Sequence, residues 1–308
     1  MKVMVSGGCG FIGSHLVDKL VQLGYEVVVI DNLSTGKEEF LNKKAKFYKV
    51  DIRDKTAGEI IKKEKPEVFF HLAAQINVRK SAEDPIFDID VNINGSLNLL
   101  LNFVSIEKRK KFIFASTGGA IYGEAEILPT PETVMPFPLS PYGISKLTVE
   151  KYLHYFWKME EMEYVSLRLG NVYGPRQNPY AEAGVIAIFT EKMLKGVNPV
   201  IFGDGNQTRD FVYVEDVVKS FILSMEKEIN GVFNVGTEKE TSVNEIFDYI
   251  KEFTKADVSK IFEKEKKGDI KRSCLAIGKI KKETGWKPEV SIKAGIEKTV
   301  KWFKFHYQ

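Results

Sequence analysis

The 308-residue sequence predicts an α/β fold, a doubly wound parallel sheet with a smaller α/β substrate lobe toward the C-terminus. Three observations carry that expectation. Short apolar runs alternate with stretches of helical length through the first half of the chain, the pattern of successive βαβ units. The first of these runs enters a glycine-rich turn. Polar residues then recur just after the apolar runs, outside the carboxyl ends of strands, where open parallel sheets bind their ligands.

Lys2–Ser6 reads as the first strand, and Gly7-Gly8-Cys9-Gly10-Phe11-Ile12-Gly13 follows it before a helix through Leu23. Glycines at that spacing permit a tight turn, a close approach of backbone to a pyrophosphate and close packing of helix on strand; the helix N-terminus offers N–H donors to the anion. This is the opening of a Rossmann-like dinucleotide site. The second strand, Glu26–Ile30, ends in Asp31, close to the offset of roughly 20 residues at which a carboxylate takes the adenosine ribose hydroxyls. A carboxylate there repels a 2′-phosphate, so NAD is expected rather than NADP.

Further strands are predicted at Lys46–Val50, Glu67–Ala73, Lys111–Ser116, Val165–Asn171 and Val232–Val235, with helices between them. Beyond Asn171 the pattern breaks at Pro175, Pro179 and Pro199. The expected division is an NAD-binding domain of residues 1–171 with returning segments near 211–240, and a substrate lobe of residues 172–210 and 241–308.

Tyr142 and Lys146 stand four residues apart at the start of a predicted helix, so one turn puts both on one face. A free tyrosine, with a pKa of roughly 10, is a poor base at neutral pH; a nearby cation favours the phenolate. Tyr-x-x-x-Lys in this setting is a proton-transfer device.

Composition excludes other classes. The net charge is +3 with both signs interspersed, so no basic stripe points to nucleic acid. Cys9 and Cys274 lack metal-ligand spacing and read as reduced thiols. The four histidines show no ligand pattern, and no metal is expected; His71, inside Val68-Phe69-Phe70-His71-Leu72-Ala73-Ala74, reads as a satisfied core residue. Neither a signal peptide nor a stretch of some 20 apolar residues occurs. A cytoplasmic enzyme without a membrane partner is expected.

The chain resembles the extended short-chain dehydrogenase/reductases that act on nucleotide sugars, the NAD-dependent epimerases and dehydratases. The runs that carry the likeness are the glycine turn, Asp51-Ile52-Arg53-Asp54, His71-Leu72-Ala73-Ala74, Tyr142-Gly143-Ile144-Ser145-Lys146, Arg168 to Pro175 and Arg209 to Asp216. Within that family it is most similar to the UDP-glucose 4-epimerases. The resemblance implies tightly held NAD and a UDP-sugar substrate. It implies that Gly7, Gly10, Phe11 and Ile12 meet the pyrophosphate, Asp31 and Asn32 the adenosine ribose, and Asp51 with Ile52 the adenine. Ser34, Thr35 and Gly36 join the cofactor set, and Leu72, Ala73, Ala74 and Gln75 line the path to the nicotinamide. Thr117, Tyr142 and Lys146 become the catalytic group, with Lys146 also on the nicotinamide ribose. Asn171, Val185, Phe202, Arg209 and Asp269 become substrate-binding residues beside Thr117 and Tyr142.

The implied reaction is inversion at the sugar C4 through a 4-keto intermediate, with Tyr142 moving the proton. Related dehydratases and decarboxylases carry an acidic residue just after the Ser or Thr, whereas Thr117 is followed by Gly118-Gly119-Ala120. Epimerisation is therefore favoured. UDP-glucuronate 4-epimerisation shares every motif and stays open, as does a non-catalytic NAD-binding sensor. Two departures bear on substrate: Lys266 stands where an arginine commonly meets the phosphates, and small Ser273 occupies a position that gates N-acetyl sugars, which extends the expected substrates to UDP-N-acetylhexosamines. Finally, Leu147, Val149, Tyr152, Leu153, Tyr155, Phe156 and Trp157 exceed one core-facing stripe, so a homodimer through this helix and one near Asn94–Val104 is expected.

Overall fold

The structure, a computed structural model, describes residues 1–180, 184–265 and 270–306. Its centre is a seven-stranded sheet. The first six strands are β1 (Lys2–Ser6), β2 (Glu26–Asp31), β3 (Lys46–Lys49), β4 (Val68–His71), β5 (Lys111–Thr117) and β6 (Glu163–Leu169), and the seventh is Gly231–Val235. Running from that last strand, the order is β6, β5, β4, β1, β2, β3, every pair parallel. The chain reverses its direction of progress between β1 and β4, and the crevice at such a switch point is where these sheets bind ligands.

Helices cover both faces, which is why β1, β4 and β5 read as near-continuous apolar runs. On one face Leu16, Val17 and Leu20 of Phe11–Gln22 pack with Val217 and Phe221 of Val214–Glu226. On the other, Ile60 and Ile61 of Lys55–Glu64 join Leu99 and Phe103 of Gly95–Val104 and Val149 and Leu153 of Pro141–Glu160. A further core gathers Phe189, Ile246, Phe247 and Ile296 from three later helices. Ile277, Ile280 and Trp286, late in the chain, nonetheless pack into the core of the main sheet.

Two local differences from the sequence expectation have physical causes. The predicted strand Val165–Asn171 stops at Leu169, because at Gly170 the backbone changes partners: its N–H goes to Val235 O at 2.8 Å, and the next N–H, of Asn171, goes to Asp210 O at 2.7 Å. A Cβ on residue 170 would meet Asp210 O at 2.8 Å, so only glycine makes that switch. Asn171–Tyr173 is a separate strand, β7, paired in parallel with Phe211–Tyr213. The helix near Asn94 starts at Pro85 instead, capped by Asp84, whose carboxylate accepts from Phe87 N–H at 2.9 Å. It passes through a π turn, Asp90–Asn94, before continuing as Gly95–Val104, and π turns within helices are frequent at functional sites.

Candidate active site

The glycine turn is built for close approach. Gly7 has φ +74°, and a Cβ on it would lie 2.7 Å from Ala73 N; a Cβ on Gly13 would lie 2.0 Å from Gly7 O. Helix Phe11–Gln22 therefore sits against the end of β1 at backbone distance. Its N-cap is Gly10, and no side chain caps the first turn, which leaves N–H donors to an anion. Asp31 ends β2 and ties this turn down, accepting from Cys9 N–H at 2.9 Å and Leu33 N–H at 2.8 Å, one on each oxygen. Each oxygen keeps a second lone pair for a ribose hydroxyl. Asn32 donates to Asp51 at 2.8 Å. Hydrogen bonds from Arg53 hold the Asp51 carboxyl down to about 2. Ile52 packs beneath Gly95. Thr35 lines a pocket of about 90 Å³ with Gly10, Phe11, Lys37 and Arg176, and Gly36 lies against the Cys9 backbone. Leu72 N–H returns to Ser6 O at 3.0 Å, and Gln75 N–H donates to Asn92 at 2.9 Å. The cradle, the uncapped helix and the carboxylate of Asp31 at the end of β2 fit NAD.

The second cluster forms where β5 ends. Ser140 caps helix Pro141–Glu160, accepting from Gly143 N–H at 3.2 Å, with Pro141 in the first turn; the cap and the proline fix where Tyr142 leaves the backbone. Thr117 closes β5 and its hydroxyl accepts from Ala120 N–H at 3.2 Å. Ala120 O would lie 2.6 Å from a Cβ on Gly143. The Thr117 turn thus packs directly on the turn of helix that carries Tyr142. Lys146 Nζ donates to Ala115 O at 2.9 Å and stands 5.8 Å from the Tyr142 ring. Thr117, Tyr142 and Lys146, which the sequence places on two separate elements, share the carboxyl end of one strand. Loss of hydration pushes the Tyr142 phenol above its ordinary value, with the Asp88 carboxylate adding to the rise. Loss of hydration also draws the Lys146 ammonium down to about 8, while Asp88 and Glu150 oppose that fall. In this protein as it stands, the expected lowering of Tyr142 by Lys146 is outweighed by desolvation.

Asn171 opens β7 with its amide oxygen 3.3 Å from a Cβ on Gly119, so it borders the Thr117 turn. Arg209 lies on the short strand Thr208–Arg209 and donates to Thr208 O at 2.8 Å. Phe202 lines a pocket of about 480 Å³ with Asp204, Gln207, Lys271 and Arg272. Val185 starts helix Val185–Leu194 and packs against the core of that lobe. Asp269 and Lys266 lie outside the described residues.

Several residues of this site escaped sequence reasoning. Arg176, at φ 66°, ion-pairs with Asp18 at 2.8 Å beside the glycine turn. Asp88, Asn92 and Ser96 form a buried polar stripe on the helix from Pro85; their four-residue spacing was a readable signal. His71 is the satisfied core residue its context predicts, hydrogen-bonded to Ser6 at 2.7 Å and Ser96 at 2.8 Å. Cys9 and Cys274 are free and buried. Among the described residues no cluster of three or more His, Cys, Asp or Glu could hold a metal, and no helix is long and apolar enough to cross a membrane.

The NAD dependent epimerase/dehydratase family model matches residues 3–236. The chain is 48% identical over 302 residues to a putative UDP-glucose 4-epimerase of Methanocaldococcus jannaschii, covering 98% of both chains. It superimposes with a TM-score of 0.98 on the crystal structure of a UDP-glucose 4-epimerase with UDP-glucose from Thermotoga maritima, at 50% identity and 100% coverage of both. The TM-score is 0.94 against the UDP-glucose 4-epimerase of Thermus thermophilus in complex with NAD, at 42% identity and 99% coverage of both.

Proposed function

The chain belongs to the NAD dependent epimerase/dehydratase family, and from that premise we propose that it is a UDP-glucose 4-epimerase, interconverting UDP-galactose and UDP-glucose on retained NAD. The observation that carries this reading is the joining of Thr117, Tyr142 and Lys146 at the end of β5 next to a glycine cradle, with glycines rather than an acid following Thr117. A Cβ on Gly118 would meet Leu275 Cδ1 at 2.4 Å, and Leu275 is buried. A carboxylate there, the group that dehydration and decarboxylation need, would have to displace the wall.

Gly7, Gly10, Phe11 and Ile12 would hold the cofactor diphosphate, with Asp31 on the adenosine ribose, and bound NAD would supply the hydride chemistry needed at the sugar C4. Tyr142 takes the 4-hydroxyl proton as the ketone forms and gives it back on return. Thr117 orients the same oxygen. Lys146, largely cationic near neutrality with its pKa of about 8, supplies the charge that favours the phenolate. Asn171, at the end of the cofactor domain, and Phe202 and Arg209, in the lobe of residues 172–210 and 241–308, hold the UDP end, so that binding energy sits on the non-reacting part of the substrate.

Incubating the purified protein, without added cofactor, with UDP-galactose and following the sugar by NMR tests this. Conversion to UDP-glucose is expected; inertness toward both sugars, or turnover of UDP-glucuronate alone, overturns it. Small Ser273 is half-buried and bonded to Thr208 O at 3.3 Å, beside the 480 Å³ pocket, and it supports turnover of UDP-N-acetylhexosamines as well. The enzyme works in the cytoplasm, in galactose metabolism. It is a homodimer: Val149, Leu153 and Phe156 face the core, while Tyr152 and Tyr155 on the same helix and Leu101 on its neighbour are exposed. A species of monomer mass alone in sedimentation removes the dimer.

A further inference from the structure

We propose that Asp88 is a positioning residue for proton transfer, a buried anion that locks the Tyr142–Lys146 turn to the cofactor loop and balances the Lys146 cation. The proposal rests on the reading of Tyr142 as the proton carrier.

Asp88 is 0% exposed, and carboxylates are almost never fully buried unless paired. Its hydrogen bonds reach three elements. Oδ2 accepts from Ser145 Oγ at 2.6 Å, on the residue next to Lys146. Oδ1 accepts from Gln75 Nε2 at 2.9 Å, in the loop after β4, and from Asn92 Nδ2 at 2.9 Å, in the π turn of its own helix. Asn92 in turn bonds both ends of the Gln75 backbone, accepting from its N–H and donating to its carbonyl at 2.9 Å each. Nearby, Ser81 Oγ accepts from Tyr142 N–H at 3.1 Å. The catalytic helix, the π turn and the loop on the cofactor's path are thus pinned at one carboxylate.

All three donors are neutral, so hydrogen bonds satisfy Asp88 but do not cancel its charge. The groups whose protonation it biases are Tyr142 and Lys146 on the helix packed against it: it adds to the rise of Tyr142 and opposes the fall that burial imposes on Lys146; Glu150, one turn further on, acts on Lys146 in the same sense. A buried negative charge retains protons on its neighbours. Its removal makes loss of a proton easier from either member of the pair, whichever leaves first, so the apparent pKa of the pair must fall. A purely structural anchor would leave that value where it is.

The experiment measures kcat against pH for the NAD-loaded enzyme and for Asp88→Asn, which keeps the shape and can accept from Gln75 and Asn92 while donating to Ser145 Oγ. The acid limb is expected to move to lower pH by on the order of one unit. Ser145→Ala, which removes one hydrogen bond and leaves the charge, should lower kcat without that displacement, and it serves also if Asp88→Asn does not fold: a displaced limb in Ser145→Ala then contradicts the charge role. Superimposable profiles for the protein and Asp88→Asn overturn the proposal. Tyr142→Phe is run alongside. If it retains full turnover, the proton-carrier reading itself fails; if it is inactive while Asp88→Asn leaves the profile unmoved, only the role of Asp88 fails.

Discussion

Around Tyr142 the polar side chains are buried and each is held from several directions: Asp88 by three donors, Glu150 by Ser116, Ser166 and Arg168. Along the pocket lined by Phe202 and Arg272 the polar groups stand in water, and the Arg272 side chain is 61% exposed even while paired with Glu240. The cluster around Tyr142 is thus fixed by networks that fail as a whole, the pocket by separate groups that can be lost singly. That division suits a reaction in which the reacting centre demands a well-defined proton path while a handle remote from it supplies affinity.

The sharpest way to break the comparison is to unpair the buried end. Glu150 lies 2.6 Å from Arg168 Nη2, with Ser116 at 2.7 Å and Ser166 at 3.0 Å, and Arg168 continues to Tyr122 at 2.8 Å. Glu150→Ala leaves a buried guanidinium without its counter-charge, and a loss of about 3–5 kcal/mol is expected in urea unfolding. A loss below about 1 kcal/mol would mean that water reaches Arg168 and that this end is no more rigid than the other.

Next comes the glycine cradle. With a Cβ on Gly13 only 2.0 Å from Gly7 O, Gly13→Ala must push the helix away from β1, at about 1–3 kcal/mol. The protein should also be purified with less NAD, read by absorbance after acid denaturation. Full cofactor content in Gly13→Ala would show that the close approach serves packing alone.

This region was the most legible in the sequence, and the reason is geometric. A turn that tolerates no side chain writes itself as glycines, and a helix turn that must present two groups on one face writes itself as Tyr142 and Lys146 four apart. Gly170 shows the limit: a single glycine marked the change of strand partners, but the partner, Asp210, is 40 positions away. The spacing of Asp88, Asn92 and Ser96 could be read as one helix face, but the burial of Asp88 could not, since Gln75 and Ser145, which make it tolerable, lie on other elements. The open pocket was least legible because exposed groups carry no periodic constraint.

A third effect concerns pH. Burial holds His71 neutral, with a pKa lowered to about 3 from 6.5. Between those values the unfolded chain binds one more proton here than the folded one, so this residue's contribution falls as pH drops, by about 1.4 kcal/mol per unit well below 6.5. Between pH 7 and pH 5 the protein should lose about 2 kcal/mol more than His71→Gln does. Equal losses would mean that Ser6 and Ser96 accept an imidazolium between them.

The smallest effect on stability, and the one that most sharpens the contrast, belongs to Arg272. It forks onto Glu240 at 2.9 and 2.5 Å at the rim of the 480 Å³ pocket, yet an exposed pair of this kind contributes little to folding. Arg272→Ala should leave the unfolding midpoint unchanged while raising KM for UDP-galactose roughly tenfold, with kcat nearly constant, the signature of an interaction shared by ground and transition states. If kcat falls in step with kcat/KM instead, Arg272 acts on the transition state, and the open pocket is coupled to the proton path it was contrasted with.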